Sequence, residues 1–239
     1  MSQIQYSKNY LSLIDSLCVI SSKVVIENGE KVKISNGNAG ANSTLFYELN
    51  APVEQFQFEG NKIGFNNFHD FYQIMNCYTA PELKLIVKEN SSCILIKKDK
   101  SKFNYVLGDP EIIDSGVESD FSQLTNTGSF KITENDIVEI KKMIGVIKSV
   151  EKGVDGVWAE LKSENGKLEI RFYTNNHNNS FEQEFDYTGE NGTIKIASEI
   201  FTALPKGNYD VSVYDNVLVK FALASSEVDL NIYAAGKNE

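Results

Sequence analysis

Apolar and polar residues alternate with a period of two over many short stretches of this chain, and with a helical period over only a few. The third quarter shows the pattern best. SFKI (129–132) reads as a strand, and Thr133 is placed to cap a helix with Asp136 three residues on. Ile137, Ile140, Ile144 and Ile147 then fall at i, i+3, i+7 and i+10, one face of a helix over about 134–149. Three alternating runs follow: VWAELK (157–162), KLEIRFYT (167–174) and SFEQEFDY (180–187). The turns between and after them, ENG (164–166) and GENG (189–192), supply the glycines that hairpins favour.

The same order of strand, helix and three strands recurs. One copy has a strand 193–196, a helix 197–204 stopped by Pro205 and Gly207, and strands 208–214, 217–223 and 227–233. A second has a strand near 63–65, a helix 68–78, and strands 82–89, 93–98 and 102–107. The first has a strand 3–6, a helix 7–20, and strands 23–27, 31–35 and 44–49. Four such units of about 60 residues pair into two domains. The turn-rich stretch GDPEIIDSGVESDFSQLTNTG (108–128) reads as the linker between them. The expected organisation is α+β, with one domain over 1–108, a connector over 109–127 and a second domain over 128–239.

Composition removes several classes of function. No apolar run reaches the ~20 residues that span a bilayer, and MSQIQYSKNYL lacks the layout of a secretory signal, so an intracellular, cytoplasmic protein is expected. Cys18, Cys77 and Cys93 are widely spaced and odd in number, which suits free, mostly buried thiols better than a disulfide framework or a metal site. His69 and His177 lie far apart, leaving little material for zinc or a His-based catalytic pair. NGNAG and GENG are hairpin turns rather than phosphate loops, because no helix starts correctly after them. No carboxylate pair is marked by spacing, so neither enzymatic activity nor a cofactor is expected. The net charge of −10 argues against a simple basic-faced nucleic-acid binder, although a sum does not exclude one basic surface. Arg171 is the sole arginine, so any DNA contact should be non-specific and made by lysine to phosphate.

Several segments resemble the PCNA-like DNA sliding clamps, and among them the smaller clamps of T-even-type phages. These are NFHDFYQIMNCYTAPELKLIV (67–87), FNYVLGDPEII (103–113), ENDIVEIKKMIGVIKSVEKGVDGVWAELK (134–162) and the ending VDLNIYAAGKNE (228–239). The resemblance covers nearly the whole chain in the order of its elements, without a rigid motif. It implies a closed ring of three identical subunits, with helices lining the hole and sheets forming the outer wall. It also implies duplex DNA, a replicative DNA polymerase and a clamp-loader ATPase as partners.

Site expectations follow from combining the residues with this resemblance. In helix 134–149, Lys142 falls nearly opposite the isoleucines, with Lys141, Lys148 and Lys152 on the flank; Lys8 and Lys206 are the other candidates for DNA phosphate. Gln73, Asn76 and Glu139 stand where the family often carries basic residues, which lowers the expected grip. By resemblance, strand 102–107 of one subunit pairs with 180–187 of the next, with Phe103, Tyr105, Phe181 and Phe185 supplying apolar contact. Lys100 and Lys102 would then oppose Glu182, Glu184 and Asp186. Client peptides would dock on Ile112, Ile113, Leu218, Tyr233 and Ala235. The rival reading is a non-enzymatic β-rich structural or carbohydrate-binding protein.

Overall fold

The computed structural model describes residues 2–28, 32–39, 44–88, 91–113, 123–151, 156–175, 179–225 and 227–236. It contains the four expected modules. They are β1 (Ser2–Tyr6), α1 (Lys8–Leu17), β2 (Val24–Glu27), β3 (Val32–Ala39) and β4 (Thr44–Ala51); then, after a short β5 (Phe56–Gln57), β6 (Lys62–Phe65), α2 (Phe68–Asn76), β7 (Glu82–Lys88), β8 (Ser91–Lys98) and β9 (Ser101–Val106). The third module is β10 (Asn126–Ile132), α3 (Glu134–Val150), β11 (Val157–Glu164), β12 (Lys167–Thr174) and β13 (Ser180–Asp186). After a two-residue β14 (Thr188–Gly189) comes the fourth: β15 (Gly192–Ala197), α4 (Glu199–Ala203), β16 (Tyr209–Tyr214), β17 (Leu218–Leu223) and β18 (Asp229–Ala235). The short β5 and β14 have no periodic signal and were not expected.

Helix ends follow local chemistry. Ser7 and Asn67 accept backbone N–H bonds as the caps of α1 and α2. Thr133 and Asp136 form a reciprocal capping box at α3: Asp136 N donates to Thr133 Oγ1, and Thr133 N donates to Asp136 Oδ2. At the far end Glu151 accepts from Thr174 Oγ1 and from the backbone and side-chain nitrogens of Asn179. The expected turn chemistry holds as well. Asn165 and Gly166 both have positive φ in the two-residue β11–β12 loop, the signature of a primed hairpin turn.

The chain divides into two compact units: Met1–Gly37 with Tyr47–Val117 and Glu227–Asp229, and Asn38–Phe46 with Glu118–Ser226 and Leu230–Glu239. Within the first unit, β1 leaves its own module to pair with β7, while β6 pairs with β2. The second unit repeats the exchange, with β10 on β16 and β15 on β11. The resulting sheet orders include β5-β1-β7-β8-β9 in one unit and β13-β12-β11-β15 in the other. All these pairings are antiparallel. Two helices lie together in each unit, α1 with α2 and α3 with α4.

The cores are where the periodicity put them. Helix α1 buries Tyr10, Leu11, Ile14 and Leu17; α2 buries Phe68, Phe71 and Met75; α3 buries the four isoleucines. The strands answer with one face each, for example Ile94 and Ile96 on β8, Ile170 and Phe172 on β12. The thiols depart from expectation. Cys18 and Cys93 are only half-buried, and Cys77 is exposed where α2 ends. Residues 114–122 of the expected linker and His177 fall outside the described residues.

No described helix is long and apolar enough to cross a membrane. Ile140 is fully buried in α3. Ile140→Ala should therefore cost about 2–5 kcal/mol in urea unfolding. Val146→Ala, on the exposed side of the same helix, should stay within about 0.5 kcal/mol of the parent.

Candidate nucleic-acid and partner interfaces

The expected site residues fall on three surfaces, each built on different elements. The first is the solvent side of the helices. Lys142 is exposed at the middle of α3, but its neighbours one turn away are Val138 and Val146, which are exposed too. Lys141 turns aside. Its ammonium is half-buried and donates a 2.6 Å hydrogen bond to the carbonyl of Leu204, tying α3 to the end of α4. Burial lowers its pKa from the usual lysine value. Lys148 lies 3.6 Å from Glu199 of α4 in an exposed pair. Lys8 and Lys206 are exposed, and Lys152 lies outside the described residues. The expected stripe of lysines is thus reduced to single charges, with Glu139 exposed beside them. In the first unit, α1 and α2 show Asp15 paired with His69 at 2.7 Å, and Asp70 and Gln73 exposed.

The second surface is formed by free sheet edges. Among the described residues β9 is the last strand of its sheet and β13 the last of its own, so each leaves one row of N–H and C=O groups without a ladder partner there. Phe103 and Tyr105 point to the core side of the first sheet, opposite Ile96 and Ile94 across the ladder. Tyr105 is held there: its hydroxyl donates to the carbonyl of Asn67 at 2.6 Å and its ring meets Phe71 at 5.3 Å. Phe103 remains 42% exposed. On β13, Phe185 is buried against Phe130, whereas Phe181 is half-buried and stacked on Phe172 at 6.0 Å. Phe103 and Phe181 are therefore the two of the four that stand open at an edge.

The third surface is apolar. Leu218 and Tyr233 form a buried cluster in the second unit, with Ala235, Leu124 and Tyr214 packed against it. Lys220 sits with its ammonium 5.8 Å from the centre of the Tyr233 ring. Tyr214 was not singled out from sequence. Its signal is the turn at Asp215 and Asn216, both with positive φ, which sets Tyr214 directly opposite Leu218. The two connector residues go elsewhere. Ile113 is buried in the first unit, where a Cβ on Gly64 or Gly108 would come within 2.8 or 2.7 Å of its Cδ1. Ile112 beside it is 81% exposed. The structure therefore brings Leu218, Tyr233 and Ala235 together and seats Ile113 on a different core.

Among the described residues no group of three His, Cys, Asp or Glu side chains could hold a metal ion. The Cys18 thiol is pushed up to about 12, first by burial and then by Asp15, so it is a poor nucleophile.

No family model matches the sequence, and no curated protein matches it. Solved structures do match, over the full length. One is a PCNA2–PCNA3 complex from Sulfolobus tokodaii, at 17% identity and a TM-score of 0.67, covering 100% of both chains. Another is the proliferating cellular nuclear antigen of Entamoeba histolytica, at 14% identity and 0.71, covering 99% of this chain and 98% of that one. A third is the PCNA of A. fulgidus bound to the C-terminal region of FEN-1, at 13% identity and 0.69, covering 100% and 98%. The chain has the PCNA clamp fold, an α+β architecture of four strand–helix–strands modules.

Lys141 and Lys142 separate structural from solvent-facing roles. Lys141→Ala should lower unfolding stability by about 1 kcal/mol, since a charged donor to a carbonyl is lost. Lys142→Ala should leave stability within about 0.5 kcal/mol. Paired urea titrations check both.

Proposed function

We propose that this protein is a DNA sliding clamp subunit. Three copies close head to tail into a ring around duplex DNA, helices inward and sheets outward. The ring tethers a replicative DNA polymerase and so confers processivity. It is placed on DNA by an ATP-driven clamp loader, performs no catalysis and needs no cofactor. The observation that carries this reading is the full-length likeness to PCNA clamps in fold. Residues 1–108 and 128–239 are then the two clamp domains and 109–127 the connector. The type proposed is the small clamp of T-even-like phages, acting in the host cytoplasm.

The DNA grip in this reading is weak and electrostatic. Lys8, Lys142 and Lys206 are the freest cations of the helix side, and Lys148 divides itself with Glu199. A few such contacts per subunit, repeated by symmetry, attract phosphate without fixing a register, which suits sliding. The subunit contact joins the β9 edge of one copy to the β13 edge of the next, a heterologous contact that closes when its rotation allows. The client surface is the Leu218, Tyr233 and Ala235 cluster with Tyr214 and Leu124, where an apolar peptide side chain would anchor. Ile112 offers a separate apolar contact on the first unit.

The decisive assay is synthesis on a primed circular single-stranded template with the cognate loader and polymerase. ATP- and loader-dependent lengthening of products is expected, and its absence with an assembled protein would count against the reading. Lys142→Glu combined with Lys148→Glu should shorten products at moderate salt while leaving assembly intact. Tyr233→Ala should weaken binding of the polymerase peptide by about tenfold or more, with the fold retained by circular dichroism.

A further inference from the structure

The helix side of the first unit is short of positive charge. Along α1 and α2 the charged side chains are Lys8, Asp15 and Asp70, one cation against two carboxylates. A surface with that balance repels phosphate. One residue on it can change the balance: His69, at the second position of α2.

Local contacts fix where His69 stands. The Phe68 N–H donates to the carbonyl of Ser22 at 2.8 Å, and the His69 N–H donates to the Cys18 sulfur, so the start of α2 is tied to the end of α1. The ring is then held by Asp15, whose Oδ1 lies 2.7 Å from Nδ1. A carboxylate only accepts, so Nδ1 carries a proton and the neutral ring keeps its lone pair on Nε2. That nitrogen lies 3.4 Å from Nε2 of Gln73, one turn on, an amide donor that suits a lone pair. The imidazole is 52% exposed and the carboxylate 19%, so Asp15 is the anchor and the ring the accessible part.

We infer that His69 is a proton-dependent phosphate contact on the nucleic-acid face of this protein. This rests on the DNA reading proposed above and adds to it a contact residue and a control by pH. Proton uptake places a second N–H on the ring, at Nε2. That atom changes from acceptor to donor and no longer suits the Gln73 amide nitrogen, while Asp15 keeps its bond from Nδ1 in both states. The exposed ring then offers its Nε2–H to a phosphate oxygen. The His69–Asp15 pair passes from one negative charge to none, and three copies in a ring triple the change.

The other charged and titratable groups around this corner are the Cys18 thiol of α1, Asp70 of α2 and the Tyr105 hydroxyl of β9, which donates to the carbonyl of Asn67 at 2.6 Å. Burial above all pushes the Cys18 thiol up to about 12 and raises the Tyr105 hydroxyl, so neither titrates near neutrality. Histidine is the side chain whose charge changes between about pH 5 and 8. The grip is therefore strongest below that range and falls as pH rises through it.

The test is binding of a short fluorescent DNA duplex, followed by anisotropy at low salt and high protein concentration between about pH 8 and pH 6. Three full-length proteins are compared: the parent, His69→Gln and His69→Lys. Thermal melts at each pH confirm that the variants are folded. The parent should bind roughly threefold or more tightly at the lower pH, the size of an exposed ion pair. Its affinity should also depend more steeply on salt there. His69→Gln should lose both changes and bind throughout as the parent does at the higher pH. His69→Lys, charged at both ends of the range, should bind tightly at both. The chain has two histidines, so ring-carbon NMR can follow His69 in the parent itself. Adding duplex should move the His69 titration midpoint upward, because the protonated ring is the form that binds. A purely structural His69–Asp15 pair would leave that midpoint where it was. If the parent binds duplex but its affinity is flat with pH, or His69→Gln keeps the parent's pH dependence, or the midpoint does not move, the inference is overturned and the clamp reading stands. A parent that binds no duplex at any pH overturns the DNA reading itself.

Discussion

The exchange of leading strands inside each unit is the constraint on which the rest of the fold depends. A module of one helix and three strands has an apolar helix face and a sheet with an open first edge. It cannot close a core alone. Sending β1 to β7 and β6 to β2 covers an edge of each module with the other's strand, and β10 and β15 repeat the solution. The helices then have no place except side by side across the two sheets, which is how α1 meets α2 and α3 meets α4.

That arrangement also decides what is left open. Once the inner edges are filled by exchange, β9 and β13 stand at the ends of their sheets. Their side chains are sorted by the pleat into an aromatic core side and a charged outer side. Free edges of this kind invite unwanted pairing, and the charges on them restrict what can pair. The same sorting explains why Tyr105 and Phe185 are committed to their own cores while Phe103 and Phe181 remain available.

The electrostatics of the helix side separate position from availability. Helical spacing places Lys141, Lys142 and Lys148 off the isoleucine face of α3. It says nothing of Leu204 or Glu199, which arrive from an element some 50 residues later and engage two of the three. Burial of Lys141 and pairing of Lys148 turn a stripe of cations into one open lysine between two valines. Ile113 shows the same limit for apolar residues. Its neighbour Ile112 is chemically identical, and only the close approach of Gly64 and Gly108 decides which of the two is buried.

What the sequence determined by itself is therefore local. Period-two and period-3.6 patterns set nearly every strand and helix, because side-chain direction is tied to backbone geometry residue by residue. The boundaries of β12 and the cap of α3 follow from neighbours in the chain. The resemblance to clamps also rested on the order of such elements. The two shortest strands, β5 and β14, escaped because two residues carry no period. What only the tertiary structure decided is which groups share a surface: Tyr214 with Leu218 and Tyr233, Lys141 with Leu204, four carboxylates around one cleft. Those meetings depend on contacts between residues distant in sequence, and periodicity along a chain holds no information about which distant face comes to lie opposite.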